Sequence, residues 1–138
     1  AFDTVNHGIL LDILQKRLGV SGSVLHWIRC YLTGRSQSVF INGIFSSLLS
    51  VMRGVPQGYI LGPLLFCCYL IPLADMLDQL GVFYHFYADD SFFYFIIDTN
   101  HSIPMHHIHS IFHKVQLWFT GAQLKLNTDK TEIMLINP

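Results

Sequence analysis

Apolar residues in this chain change period several times, and each change marks an element. In residues 7–18, Ile9, Leu10, Ile13, Leu14 and Leu18 recur at helical spacing, and Gly19 follows as a C-terminal cap. A second helix over 23–32 would bury Val24, Leu25, Trp27, Ile28 and Tyr31 and end at Gly34. Residues 38–41 and 44–45 flank Asn42-Gly43, a turn in which both positions need positive φ, so they predict a β-hairpin. Pro63 suits the first turn of a third helix, where its missing N–H does no harm, and 64–71 continue it. Pro72 is expected to break or kink that helix, with Leu73, Met76, Leu77 and Leu80 carrying a short continuation to Gly81. Ser102 then caps a helix with Pro104 in its first turn; Ile108, Ile111, Phe112, Val115, Trp118 and Phe119 form its apolar stripe, and Gly121 closes it. Residues 1–5 read as the end of a strand, and 124–127 and 133–136 as strand segments around a polar turn.

The most pointed chemistry interrupts an aromatic and β-branched run over 82–97. Val82, Phe83, Tyr84, Phe86 and Tyr87 read as one strand and Phe92, Phe93, Tyr94, Phe95, Ile96 and Ile97 as another, which puts Asp89 and Asp90 at a hairpin tip. Adjacent carboxylates in an apolar setting repel one another and resist desolvation unless a cation neutralises them. Hard oxygen ligands, with no cysteine close by and His85 the only imidazole, suit magnesium or manganese rather than zinc. Aspartate is also an ordinary turn residue. The pattern by itself leaves both readings open.

Composition narrows the class. The 138 residues suit one domain, 1–138, without repeat, linker or low-complexity tract. A 51% apolar and 12% charged content, with mean hydropathy +0.43, is high for a soluble domain, and points either to apolar faces covered by neighbours or to a membrane protein. The most apolar segment, 59–74, contains Gly62, Pro63 and Pro72, and its unbroken run falls short of the about 20 residues a span requires, so no transmembrane helix is expected. No charged region followed by an apolar one opens the chain, so no signal peptide is expected, and the protein reads as intracellular, nuclear or cytoplasmic. Net charge −1 and a pI near 6.8 leave no basic footprint for self-sufficient nucleic-acid binding. Cys30, Cys67 and Cys68 lack zinc or disulfide spacing and read as reduced core residues.

Residues 53–66 carry Gly54, Gly58 and Gly62, a loop without side-chain bulk that backbone or ligand can approach closely, although it has neither standard phosphate-cradling pattern. Alone it is a turn before a buried helix. Four segments taken together resemble one family. They are Ala1-Phe2-Asp3-Thr4-Val5-Asn6-His7; Gly54-Val55-Pro56-Gln57-Gly58 with Leu61-Gly62-Pro63-Leu64-Leu65-Phe66; Tyr87-Ala88-Asp89-Asp90; and Leu124-Lys125-Leu126-Asn127 before Asp129-Lys130-Thr131-Glu132. In order and spacing they resemble the reverse transcriptases of non-LTR (LINE-type) retrotransposons, over nearly the whole chain.

The resemblance implies an α+β polymerase palm, an antiparallel sheet backed by helices, from an RNA-directed DNA polymerase that uses two magnesium ions, with manganese as the alternative. Its partners would be an RNA template, a DNA primer and dNTPs, and no membrane. In such a site carboxylates hold two metals ~3.5–4 Å apart, one activating the primer 3′-hydroxyl and the other steadying pyrophosphate. By resemblance Asp89 and Asp90 are metal ligands, and Tyr87 packs near the primer end. Phe2 is the aromatic gate under the deoxyribose, and Gln57 and Gly58 lie beside the incoming nucleotide. Lys130 is placed near the phosphates as a proton donor, with a solvated turn lysine as its other reading.

Departures from the pattern qualify this. The family's first-motif aspartate, which ligates both metals, would fall roughly four positions ahead of Ala1, and fingers and thumb would lie on either side of this segment. Asp3 is not its substitute: it follows Phe2, one alternation off the metal face, and is expected to be buried, hydrogen-bonded or helix-leading. Tyr59 stands where serine is usual, Asn6 where aspartate is common and Ser91 where threonine is. The implied reading is a palm fragment, inactive alone, against a non-catalytic remnant retained for RNA or protein contacts. His101, His106, His107, His109 and His113 crowd one region, with His109 and His113 a helical turn apart; a polar helix face is favoured over a zinc site, since only distant Asp98 could complete the set.

Overall fold

A computed structural model describes residues 2–56, 58, 60–95, 105–134 and 136. Helix α1 (His7–Lys16) starts where the Asn6 side chain accepts the Ile9 N–H at 3.1 Å, satisfying one of the donors every helix start leaves free. It buries Leu10, Leu11, Ile13 and Leu14. It stops at Gly19, whose φ of +68 lets the Val20 N–H return to the Leu14 carbonyl at 2.9 Å.

Helix α2 (Gly22–Leu32) packs on α1 and covers less of itself than the sequence predicts. Leu25 and Leu32 are buried, whereas Val24 is exposed and Trp27 is 55% exposed. Packing on α1 shields one stripe of α2, and Trp27 stacks instead on Tyr31, with ring centroids 5.8 Å apart. Cys30 and Cys67 are likewise exposed rather than in the core, whereas Cys68 is half-buried and packs against it.

Helix α3 (Leu61–Gln79) runs unbroken through Pro72, against the expected break. A proline inside a helix costs about 3 kcal/mol. Leu65, Phe66, Tyr69 and Leu70 before it and Leu73 and Leu77 after it are all in the core. Ending the helix at Pro72 would carry Leu73 and Leu77 out, at about 1.5–3 kcal/mol each, so continuation wins. By length and apolarity alone this 19-residue helix suffices to cross a membrane, which the interruptions in the sequence had argued against. Its packing on α1 and on the following strand uses that apolarity within the domain.

The strands make three separate two-stranded antiparallel ribbons. β1 (Arg35–Gln37) pairs with β4 (Leu49–Val51), β2 (Phe40–Ile41) with β3 (Ile44–Phe45), and β5 (Phe83–Tyr87) with β6 (Asp90–Tyr94). The β2–β3 turn has Asn42 and Gly43 at φ 51 and 82, as the sequence predicts. The domain is thus mixed α+β, but among the described residues no single sheet joins the ribbons. Phe40, Ile41, Ile44 and Phe45 are all exposed, Ile44 by 74%, so the apolar content shows as uncovered surface.

Helix α4 (Met105–Gly121) buries Ile111 and Val115 as expected, with Ile108, Trp118 and Phe119 half-buried, while Phe112 is exposed. The Tyr69 hydroxyl donates to the Ala122 carbonyl at 2.6 Å, fastening the end of α4 to α3. The expected Ser102 cap and Pro104, and Ile96 and Ile97 of the strand after the aspartates, lie outside the described residues.

Three expected strand segments take other forms. Phe2–Thr4 is a 3-10 turn, because the carbonyls of Phe2 and Val5 accept the N–H groups of Val55 (3.0 Å) and Gly54 (2.8 Å) rather than joining a ladder. At 124–127 the chain turns: Leu124 N–H bonds back to Phe119, and Thr128–Lys130 forms a second 3-10 turn. Ile133, Met134 and Ile136 are exposed and form no strand; Leu135 lies outside the described residues.

Candidate catalytic site

The aspartate pair stands where the aromatic hairpin turns. Register pairs Tyr87 with Asp90, leaving Ala88 and Asp89 as the two turn residues. Tyr84, Phe86 and Phe93 are partly buried against the core, whereas Tyr87, Asp90 and Phe92 face outward. Asp90 and Tyr87, directly opposite on neighbouring strands, share that outer face. Ala88 holds φ 53, a left-handed conformation that costs a residue with a Cβ roughly 1–2 kcal/mol. Strain of this kind collects where geometry matters more than comfort.

Both carboxylates are exposed, and neither enters an ion pair among the described residues. The apolar crowding expected around them is therefore absent; the hairpin holds them out into water. Their donor set is all hard oxygen, and magnesium is commonly held by one or two carboxylates plus water and substrate phosphates, so the pair fits such an ion. Among the described residues no group of three or more His, Cys, Asp or Glu converges, so no third protein ligand joins it.

The glycine loop is tied to the segment before α1. At Gly54, φ is +88, and a Cβ there would sit 2.8 Å from the Asp3 Cα and 2.9 Å from its carbonyl oxygen. The Gly54 carbonyl accepts from His7 Nε2 at 2.8 Å, which sets the Nε2–H tautomer. At Gly62 a Cβ would lie 2.6 Å from the Pro56 carbonyl oxygen, so the loop folds directly onto the first turn of α3. The Phe2 ring, half-buried, rests on Phe66 of α3 with centroids 4.7 Å apart. Phe2, the loop and the start of α3 thus form one unit, and α3 also packs on β5. A polar cleft beside it is lined by Asp3, Gln37, Ser50, Val51, Met52 and Arg53.

Other expected site residues are placed less closely. Gly58 is exposed at φ +78, while Gln57 and Tyr59 lie outside the described residues. Lys130 is exposed in the Thr128–Lys130 turn, and among the described residues no hydrogen bond or ion pair joins it to the aspartates. Asp3 is exposed rather than buried, and lies in the Phe2–Thr4 3-10 turn ahead of α1. His106, His107, His109 and His113 are all exposed on α4; His101 and Asp98 lie outside the described residues. Sequence reasoning missed His7 and Tyr69 as ties between distant segments. Asn6, read only as a substitution, is an N-cap whose amide also donates to Gln123 Oε1 at 3.0 Å.

The family model described as "Reverse transcriptase (RNA-dependent DNA polymerase)" matches residues 1–137. The chain belongs to the reverse transcriptase family. This reverse transcriptase chain is also 40% identical, over 70 residues, to the "Probable RNA-directed DNA polymerase from transposon X-element" of Drosophila melanogaster. That match covers 50% of the chain and 7% of the Drosophila protein, so the chain corresponds to a small part of its relative. The exposed aspartate turn, the Gly54 loop and the Phe2 segment of this chain all fall within the family match.

Proposed function

We propose that this chain is the palm region of a non-LTR retrotransposon reverse transcriptase, which in its full-length parent copies RNA into DNA from a DNA primer. The observation that carries the reading is the end of the aromatic hairpin, where Asp89 in the turn and Asp90 at the start of β6 are both exposed to solvent. Both residues would hold the divalent ions, Asp89 as the more direct ligand. The chemistry such ions supply when bound is activation of the primer 3′-hydroxyl and neutralisation of pyrophosphate charge. Tyr87, on the same outer face as Asp90, lies against the primer end. Phe2, propped by Phe66, closes the floor beneath the sugar and rejects a 2′-hydroxyl. Gly58 gives the incoming nucleotide an approach free of side-chain bulk, beside Gln57. Lys130 donates a proton to the leaving pyrophosphate. Positioning and charge neutralisation then account for the rate, without a covalent intermediate. The reading carries with it that the 138-residue chain does not polymerise on its own.

Two measurements test this. Manganese added to the chain should broaden the NMR signals of residues 87–91 first, and Asp89→Ala should remove that effect. Broadening centred elsewhere, or unchanged in Asp89→Ala, refutes the metal assignment. Primer extension on a poly(A) template with magnesium should show no incorporation; incorporation abolished by Asp89→Ala would show that the chain is active unaided.

A further inference from the structure

We propose that His26 and Cys30 on α2 form a chelating site for a divalent cation of the zinc class, separate from the aspartate pair. The two residues are four apart on one helix and therefore share a face. Cys30 Sγ lies 3.5 Å from His26 Nε2. Zinc bonded to sulfur at about 2.3 Å and to nitrogen at about 2.0–2.1 Å, at a tetrahedral angle, needs its donors about 3.5–3.6 Å apart. The pair already has that bite, so binding requires no movement of the helix. Both side chains are exposed, and Cys30 is a free thiol.

The surroundings support a fixed site. Leu25 and Leu32 anchor α2 to the core, so the backbone that carries the pair is held. Trp27 and Tyr31, each one residue further along the helix, stack on one another. A thiolate and an imidazole select zinc-class ions over magnesium, whereas Asp89 and Asp90 offer only oxygen, so the two sites sort cations by hardness. On binding, the Cys30 S–H bond breaks, its proton passes to solvent and a sulfur–metal bond forms. His26 contributes the Nε2 lone pair and keeps its proton on Nδ1. Water fills the remaining positions, and no electrons change hands. Of the other cysteines, Cys67 is exposed on α3, and the thiol of Cys68 is pushed up by burial and then by Cys67; no hydrogen bond joins either to an imidazole among the described residues.

Cobalt(II), a coloured stand-in for zinc, tests the site in the full chain. Titration at neutral pH should give a sulfur-to-cobalt charge-transfer band that zinc displaces, with one proton released per metal. Cys30→Ser should abolish the band and His26→Ala should weaken binding, while Cys67→Ser and Asp89→Asn should leave it unchanged. Circular dichroism of each variant confirms that α2 is retained. A band that persists in Cys30→Ser, disappears with Cys67→Ser, or is unaffected by His26→Ala overturns the proposal. Loss with Asp89→Asn does so too, by merging this site with the one proposed for magnesium.

Discussion

Alanine at Gly54 tests the link between the glycine loop and the segment before α1. Two costs add there. A φ of +88 is strained for any residue with a Cβ, at roughly 1–2 kcal/mol. The new Cβ would also lie 2.8 Å from the Asp3 Cα and 2.9 Å from its carbonyl, atoms of the main chain that cannot swing away as a side-chain tip could. Forcing such an overlap costs about 1–3 kcal/mol, so Gly54→Ala should destabilise the chain by about 2–5 kcal/mol. Gly19→Ala is the control: its φ is +68, but nothing lies within 4 Å of the added atom. It should cost only the conformational part, about 1–2 kcal/mol. Urea unfolding at constant m-value reads both numbers. In thermal melts, at about 4 °C per kcal/mol for a domain of this size, the control should fall by about 4–8 °C and Gly54→Ala by about 8–20 °C. If the two variants agree within about 0.5 kcal/mol, the limit of additivity, the segments do not touch as described and the site unit built on them is wrong.

Other substitutions probe single interactions. Tyr69→Phe leaves the Ala122 carbonyl without its 2.6 Å donor in the core and should cost about 1–3 kcal/mol by urea titration; a neutral result would show that water replaces the hydroxyl. Burial pushes the pKa of the Tyr69 hydroxyl up, with smaller opposing pulls from the Asn6 backbone and Arg53. The folded chain therefore keeps a proton that the unfolded chain loses from about pH 10, and stability should fall as pH rises beyond that point. Tyr84, raised by burial and then by Asp78, shares the trend, so Tyr69→Phe should remove part of the alkaline loss and not all of it. Asn6→Ala deletes the α1 cap and should cost about 0.5–2 kcal/mol, whereas Asn6→Asp should keep the cap and lose less. Ala88→Gly relieves the left-handed φ at the aspartate turn and should stabilise by about 0.5–1 kcal/mol; a clear loss would mean that the methyl packs usefully.

Local signals in the sequence carried much of this fold. The period of 7–18 gave α1, Asn42-Gly43 gave its hairpin, and the acidic break in an aromatic run gave the turn at Asp89, all within a few residues of the signal. Signals that depend on distant partners misled. Residues 2–5 have strand composition, but their carbonyls meet Gly54 and Val55 and the chain turns. Pro72 has helix-breaking chemistry, but the core around Leu73 and Leu77 outweighs it. At the end of α4 the glycine is Gly121, yet the left-handed residue is Gln123, because Leu124 must return to Phe119. The site divides in the same way. The place of Asp89 and Asp90 at the end of a hairpin was readable, whereas the propping of Phe2 on Phe66 and the exposure of both carboxylates depend on packing that no short motif records.

The ties between distant segments bear on the order in which the chain assembles. Each ribbon pairs strands close in sequence, with β2–β3 nested inside the β1–β4 connection, and is expected to form before the helices dock. The bonds from His7 to Gly54, Tyr69 to Ala122 and Asn6 to Gln123 span 47, 53 and 117 residues, and can close only when the helices have docked. Hydrogen exchange should separate the two classes. The Gly54 amide, bonded to the Val5 carbonyl at 2.8 Å, should exchange only through opening of the whole domain, while the amides of β2–β3 exchange through local fraying. A single backbone amide beside the glycine loop would then report the cooperativity of the entire fold.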